Sequence, residues 1–297
     1  MAAPPPSPPT RPTVATLRAG EQVDTVLACL RKDRLTTKSG APYLTLELRD
    51  RTGTLPARVF KDADRLAGRF ERGQLVRVKG RVERFREELQ LEVENIVTAP
   101  ADGADPREFL PVAYRDLDEL DGFLEHLAGE VHDAGYRGML ERMLGDEQLR
   151  AAWRLAPCAT RPGHHAYLGG LLEHTVAVGT LALECCQLHV KLNSDLLICA
   201  ALVHDLGKTR EYVYGAEIEL SEPGRLLGHV ELGLRLIDEY ADGLDDARRL
   251  QLSHCVITHH GADAAPQRRF ALPEALALFR LNALDAAVKG ALEGGTG

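Results

Sequence analysis

The 297-residue chain is poor in aromatic residues, at 5%, and carries a single tryptophan. Its six cysteines, Cys29, Cys158, Cys185, Cys186, Cys199 and Cys255, form no CxxC pair. That scarcity and spacing argue against a disulfide framework or a cysteine-ligated zinc site, and fit reduced thiols in a cytoplasmic protein. No apolar run approaches the ~18–20 residues of a bilayer-spanning helix, so no membrane partner is expected. The first residues, MAAPPPSPPTRPT, are proline-rich and lack the apolar stretch of a signal peptide, so residues 1–14 are expected to form a disordered leader. A basic excess is missing too. The 36 Lys and Arg face 44 Asp and Glu, a formal net charge of −8, which at first sight argues against a polyanionic partner.

The total hides a split. Residues 11–100 hold 18 Lys and Arg against 13 Asp and Glu, a local +5, which leaves −13 for the rest of the chain. One half is thus suited to polyanions and the other to cations. Length points the same way, since single cores rarely grow beyond ~250–300 residues and two modest domains suit this chain better.

The period of the apolar residues changes along the chain. Val23, Thr25, Leu27 and Cys29 form one alternating face, and alternation continues through Tyr43–Leu48, Leu55–Phe60, Leu75–Glu83 and Leu89–Val97. Gly53 punctuates a hairpin, and a short helix fits residues Asp62–Gly68. Five strands with a helix between the third and fourth is the order of an OB-fold barrel, expected over residues 15–99. Residues 100–111 are rich in Ala, Asp and Pro and read as a linker. Beyond it, from 112 to 297, three- and four-residue spacing predicts an all-α domain with helices near residues 116–132, 136–144, 148–154, 168–191, 196–206, 226–240, 247–259 and 273–292.

Nine of the eleven histidines lie between positions 164 and 260. The apolar run Leu196–Val203 leads straight into His204-Asp205-Leu206-Gly207-Lys208. A buried helix thereby delivers an imidazole and a carboxylate to one point. Neither can be buried unpaired without cost, and a divalent cation serves both. His174 stands upstream, and His229, His254, the pair His259-His260 and Asp285 follow.

This order of histidines and aspartates on predicted helices resembles the HD-domain superfamily of metal-dependent phosphohydrolases. The run His164-His165-Ala166-Tyr167-Leu168-Gly169-Gly170-Leu171-Leu172-Glu173-His174-Thr175, together with Thr258-His259-His260-Gly261, is similar to the signatures of the YhaM-type 3′→5′ exoribonucleases. That family joins an OB-fold to an HD domain in this order, and the resemblance spans residues 15 to 290. It implies a first metal on His174, His204, Asp205 and an acid of the last helix. It implies a second metal bridged by Asp205 and held by His229 with His259 and His260, ahead of His254. The family pattern leads one to expect a histidine near Phe279 and acids at positions 282 and 285. Asn282 departs from it, which leaves Asp285 as the expected ligand and puts metal affinity in question.

Two such ions, with Mn foremost and Fe, Co or Ni as alternatives, would activate water against a phosphodiester. Asp205 and Lys208 are the expected catalytic residues, Lys208 offering a cation to the phosphate. His164 and His165 are further candidates for metal or phosphate contact. On the barrel, Tyr43, Phe60 and Phe85 are candidate stacking platforms, each with the alternative of a place in the core. Arg58, Lys61, Arg81, Arg84 and Arg86 are candidate phosphate contacts. The expected activity is 3′→5′ hydrolysis of single-stranded RNA, and of single-stranded DNA as a further substrate, to 5′-mononucleotides. The competing readings are a phosphohydrolase of free nucleotides and a non-catalytic single-strand-binding protein. A cyclic-dinucleotide phosphodiesterase is disfavoured, because Gly261-Ala262-Asp263 lacks the GYP motif.

Overall fold

Alternation of apolar and polar side chains closes a barrel in the first hundred residues. The structure, a computed structural model, describes residues 12–100, 104–160 and 163–294. Residues 1–11 of the expected leader lie outside the described residues. Val14–Thr16 already forms a 3-10 turn, with the Val14 N–H donating to Asp50 Oδ2 at 2.8 Å.

The strands are β1 (Gln22–Thr36), β2 (Pro42–Asp50), β3 (Gly53–Val59), β4 (Leu75–Phe85) and β5 (Glu88–Thr98), with helix α1 (Ala63–Ala67) between β3 and β4. They close in the order β1-β2-β3-β5-β4, and only the β3–β5 pairing is parallel. Leu44, Leu46 and Leu48 of β2 and Leu55, Ala57 and Val59 of β3 point inward and are buried. Tyr43, Arg58 and Phe60 therefore stand on the outer face. This is the expected OB-fold. Within the stretch expected as a linker, Pro106–Glu108 forms a 3-10 turn, and Phe109 is buried against Ala28, Leu75 and Ala99.

The chain divides into two compact units, Met1–Pro111 with Tyr214–Glu217, and Val112–Val213 with Ile218–Gly297. The second unit is helical, built from α2 (Leu117–Gly129), α3 (Ala134–Gly145), α4 (Glu147–Leu155), α5 (Gly170–Leu188), α6 (Ser194–Val203), α7 (Lys208–Glu211), α8 (Glu222–Tyr240), α9 (Asp246–Thr258) and α10 (Pro273–Gly294). The expected helical domain is thus present, with one small addition, a hairpin of β6 (Tyr212–Tyr214) and β7 (Ile218–Leu220). Three-residue strands are too short to show a period. Helix α8 also begins four residues before its expected start and is broken at Gly228, where the backbone is non-helical.

Helix α6 is buried all round, every residue from Leu196 to Val203. A helix apolar on all sides belongs at the centre of a bundle. Helices α2, α3, α5, α9 and α10 all pack against it. Its carboxyl end thus presents His204 and Asp205 at the heart of the unit. Part of the acidic excess has a plainer use. Asp116, Asp133, Asp146 and Asp245 cap α2, α3, α4 and α9 by accepting backbone N–H groups of the first turn.

Candidate metal centre and nucleic-acid face

Asp205 is the hub. It is 2% exposed, and four imidazoles turn their Nε2 atoms towards it. His174 Nε2 and His204 Nε2 each stand 3.5 Å from Asp205 Oδ2, and 3.3 Å from each other. His229 Nε2 and His259 Nε2 each stand 3.5 Å from Asp205 Oδ1. His260 Nε2 lies 2.9 Å from His229 Nε2. The two oxygens of one carboxylate therefore face two separate groups of imidazoles.

The opposite ring nitrogens are all committed. His204 Nδ1 donates to the Ala201 carbonyl at 2.9 Å and His259 Nδ1 to the Val256 carbonyl at 2.5 Å. His229 Nδ1 donates to Glu211 Oε1 at 3.2 Å, and His174 Nδ1 to Asp285 Oδ2 at 2.6 Å. A proton on Nδ1 leaves the Nε2 lone pair free for a cation.

The donor set fits divalent ions. Asp205 Oδ1 and His259 Nε2 are buried without a hydrogen-bond partner among the described residues. Such orphans are rare and call for an unseen partner. Asp205, His229, His259 and His260 form one group close enough to share an ion, and His174, His204 and Asp205 another.

Electrostatics keep the hub charged. Burial alone would raise the Asp205 carboxyl, but Lys208 and the surrounding imidazoles hold it well below the usual carboxylate range. Lys208 Nζ donates to Asp205 Oδ2 at 2.7 Å and to Cys158 Sγ at 3.3 Å. Burial opposes the lysine's charge, but Asp205 outweighs it and keeps the ammonium. Burial keeps the Cys158 thiol protonated, pushing it up to about 12. Burial also pushes His164 down to about 4, so that ring is neutral near pH 7.

A cavity of about 220 Å3 opens onto the hub, lined by His164, Asp205, Lys208, His259, His260 and Asn282 on its polar side. Phe279, Ala283 and Ala286 make its apolar wall. Asn282 Nδ2 donates to the His259 carbonyl at 3.2 Å. Of the residues expected at the site, the structure thus gathers His164, His174, His204, Asp205, Lys208, His229, His259, His260 and Asn282 around the hub. It sets three apart from the cavity. His254 Nε2 accepts the Ala271 N–H at 3.0 Å. Asp285 sits behind His174, and His165, 1% exposed, sits behind Asp285 with its Nε2 donating to Asp285 Oδ2 at 3.0 Å.

The signature from His164 to Thr175 has a local explanation. His165 adopts a left-handed φ of 50°, and a Cβ on Gly170 would lie 2.1 Å from its carbonyl oxygen. Only glycine lets α5 start so close to that turn. The Tyr167 hydroxyl lies 2.9 Å from His165 Nδ1 and donates to Glu173 Oε2 at 2.6 Å. Lys289 Nζ donates to Glu173 Oε1 at 2.9 Å. Gly207, after His204-Asp205-Leu206, serves the same end. A Cβ there would lie 1.9 Å from the His229 carbonyl oxygen, so glycine lets α8 bring His229 to the hub. Sequence reasoning missed Glu211, whose role is visible only once α7 turns it towards His229.

On the barrel, the Tyr43 and Phe60 rings stack at 5.6 Å with an interplanar angle of 22°. Phe85, at the tip of the β4–β5 hairpin, is flanked by the guanidinium groups of Arg58 and Arg86 at 5.1 and 5.3 Å from the ring centre. Phe60 and Phe85 are about half exposed, and the barrel core contains neither of them nor Tyr43. Lys61, Arg81, Arg84 and Arg86 are exposed, and Arg84 makes a 3.5 Å contact with Glu87.

These two sites define an HD-domain, metal-dependent hydrolase joined to an OB-fold barrel. The family model of the OB-fold nucleic acid binding domain matches residues 29–99, and that of the HD domain matches residues 171–287. Curated relatives match across most of the chain. The 3′-5′ exoribonuclease YhaM of Shouchella clausii is 30% identical over 251 residues, covering 82% of this chain and 76% of that protein. The Listeria welshimeri protein of the same name is 27% identical over 91% of this chain and 86% of its own length, and that of Bacillus subtilis 28% identical over 90% and 85%. The chain belongs to the YhaM family. Among the described residues, no helix is long and apolar enough to cross a membrane.

Proposed function

We propose that the protein is a 3′→5′ exonuclease of single-stranded RNA, able to take single-stranded DNA as well, that releases 5′-mononucleotides. The observation that carries this reading is the convergence of four imidazole Nε2 atoms on the two oxygens of Asp205. His174, His204 and Asp205 Oδ2 would hold one divalent ion. Asp205 Oδ1, His229, His259 and His260 would hold a second. Imidazole and carboxylate donors favour Mn, with Fe, Co and Ni as alternatives. The ions would supply water deprotonated near neutral pH and charge neutralisation at the phosphodiester.

The chain's own residues then account for the rest. Lys208 keeps its ammonium against Asp205 and lines the cavity, where it can face a phosphate oxygen. Neutral His164, also in the cavity lining, offers a hydrogen bond. Phe279, Ala283 and Ala286 offer an apolar surface to a base or sugar, and the size of the cavity favours one nucleotide at a time. In hydrolysis, the water oxygen bonds to phosphorus and the bond from phosphorus to the preceding nucleotide's 3′ oxygen breaks. That oxygen takes a proton, and the released nucleotide keeps its 5′ phosphate. The outer face of the barrel supports the grip, with Tyr43, Phe60 and Phe85 for stacking and Arg58, Lys61, Arg81, Arg84 and Arg86 for the backbone. Six unpaired cysteines, four of them buried, support a reducing, cytoplasmic setting.

Incubation of 5′-labelled RNA and DNA strands with the protein and Mn2+ tests the reading. The expected result is progressive shortening from the 3′ end with 5′-mononucleotides as product. Turnover of free nucleotides with intact strands would overturn it.

A further inference from the structure

Four imidazoles turn the same nitrogen inward, and the partners behind them come in two kinds. His204 and His259 rest on backbone carbonyls three residues back, on Ala201 and Val256. Those acceptors are provided by the helix ends themselves. His174 and His229 rest on carboxylates instead, Asp285 and Glu211. His174 faces Asp205 Oδ2 and His229 faces Asp205 Oδ1, so one outer carboxylate stands behind each of the two groups.

We propose that Asp285 and Glu211 are paired positioning residues, each holding one imidazole with Nε2 presented to its ion, and that His165 clamps Asp285. The proposal rests on the two-ion reading above and deepens it. It assigns Asp285 a place behind His174 in preference to direct contact with the ion. Asp285 Oδ2 is the acceptor of His174 Nδ1, the ring nitrogen on the side away from His204 and Asp205. The same oxygen accepts from His165 Nε2. An oxygen taking two imidazole N–H groups is committed to them.

The clamp is itself held. The His165 N–H donates to Glu293 Oε2 at 2.9 Å, its Nδ1 meets the Tyr167 hydroxyl, and Tyr167 and Lys289 both donate to Glu173. Glu211 is held more simply. Its Oε1 accepts both the His229 backbone N–H at 3.0 Å and the His229 ring, so one atom fixes main chain and side chain together. Partners of this kind set the tautomer and orientation of a ligating imidazole, and losing one typically weakens metal binding ~10–100-fold without removing the site.

The test is a Mn2+ titration of the full-length protein after chelation, reading the number of ions bound at saturation and the affinity of each class. Wild type is expected to bind two per chain. Asp285→Ala and Glu211→Ala are each expected to keep two at saturation with one class weakened ~10–100-fold, and His165→Gln to weaken the same class as Asp285→Ala by less. Asp285→Asn, which keeps an acceptor, is expected to regain most of the affinity lost in Asp285→Ala. Histidine 15N spectra of the Zn2+-loaded protein are expected to report Nδ1–H on His174 in wild type and in Asp285→Asn. A fall to one ion at saturation in Asp285→Asn would overturn the proposal by making Asp285 a ligand. Unchanged affinity in all three variants would overturn it by leaving nothing positioned. If wild type bound no Mn2+, the two-ion reading itself would fall, an outcome distinct from either.

Discussion

The metal centre and the barrel's outer face handle charge in opposite ways. Around Asp205 the side chains of His174, His204, Lys208 and His259 are buried, and each imidazole of the inner four is tied on its far side. On the barrel, Phe60 and Phe85 stand half exposed beside arginines that reach into solvent. Chemistry on a phosphodiester needs donors fixed before the substrate arrives. Holding a strand of arbitrary sequence needs only flat rings and cations that can adapt. The net charge of −8 averages these two surfaces, and some of the acid behind it caps helices.

The widest separation of the two regions is expected from Asp205→Asn. Loss of the bridging carboxylate should lower strand hydrolysis ~10³-fold or more, since metal-based charge stabilisation is worth several kcal/mol. Strand affinity, measured by anisotropy, should be unchanged. Phe85→Ala should do the reverse. Losing one stacked base costs ~1–3 kcal/mol, a roughly 5- to 150-fold rise in Kd, with the single-turnover rate at saturating strand preserved.

Acid should strike the centre before the barrel. The folded value of His164, about 4, lies below its ordinary 6.5, so the unfolded chain binds more protons between those values. Stability from this group is full above pH 6.5 and declines as pH falls towards 4. Thermal unfolding of the metal-stripped protein should follow that slope, and His164→Gln should flatten it. The smallest effect is expected from Arg81→Ala on the exposed face. It should reduce the magnitude of the log Kd against log salt slope by ~0.7, one phosphate contact on a single strand, with no effect on metal uptake.

Much of this was readable from spacing. Alternation in Tyr43–Leu48 and Leu55–Phe60 located two barrel strands, because a sheet with one wet face leaves a period of two. The unbroken apolar run before His204 announced a central helix, and the signature from His164 to Thr175 marked the start of α5, which carries His174. Contacts that depend on tertiary approach were not readable. Glu211 ends a four-residue helix and precedes a three-residue strand, both below the length at which a period appears. Asp285 and Asn282 share a helix face, and spacing could not say which faces the cavity and which stands behind His174. Only packing of α10 against α5 and α9 separates them.

On the proposed reading, one centre built on Asp205 cuts a strand that the barrel holds. A single-turnover assay on a 5′-labelled RNA with Mn2+, comparing wild type with Asp205→Asn at equal strand occupancy, tests it most directly. A ladder shortening from the 3′ end in wild type, and an intact bound strand in Asp205→Asn, is the predicted result. A ladder of equal rate in both would contradict the claim.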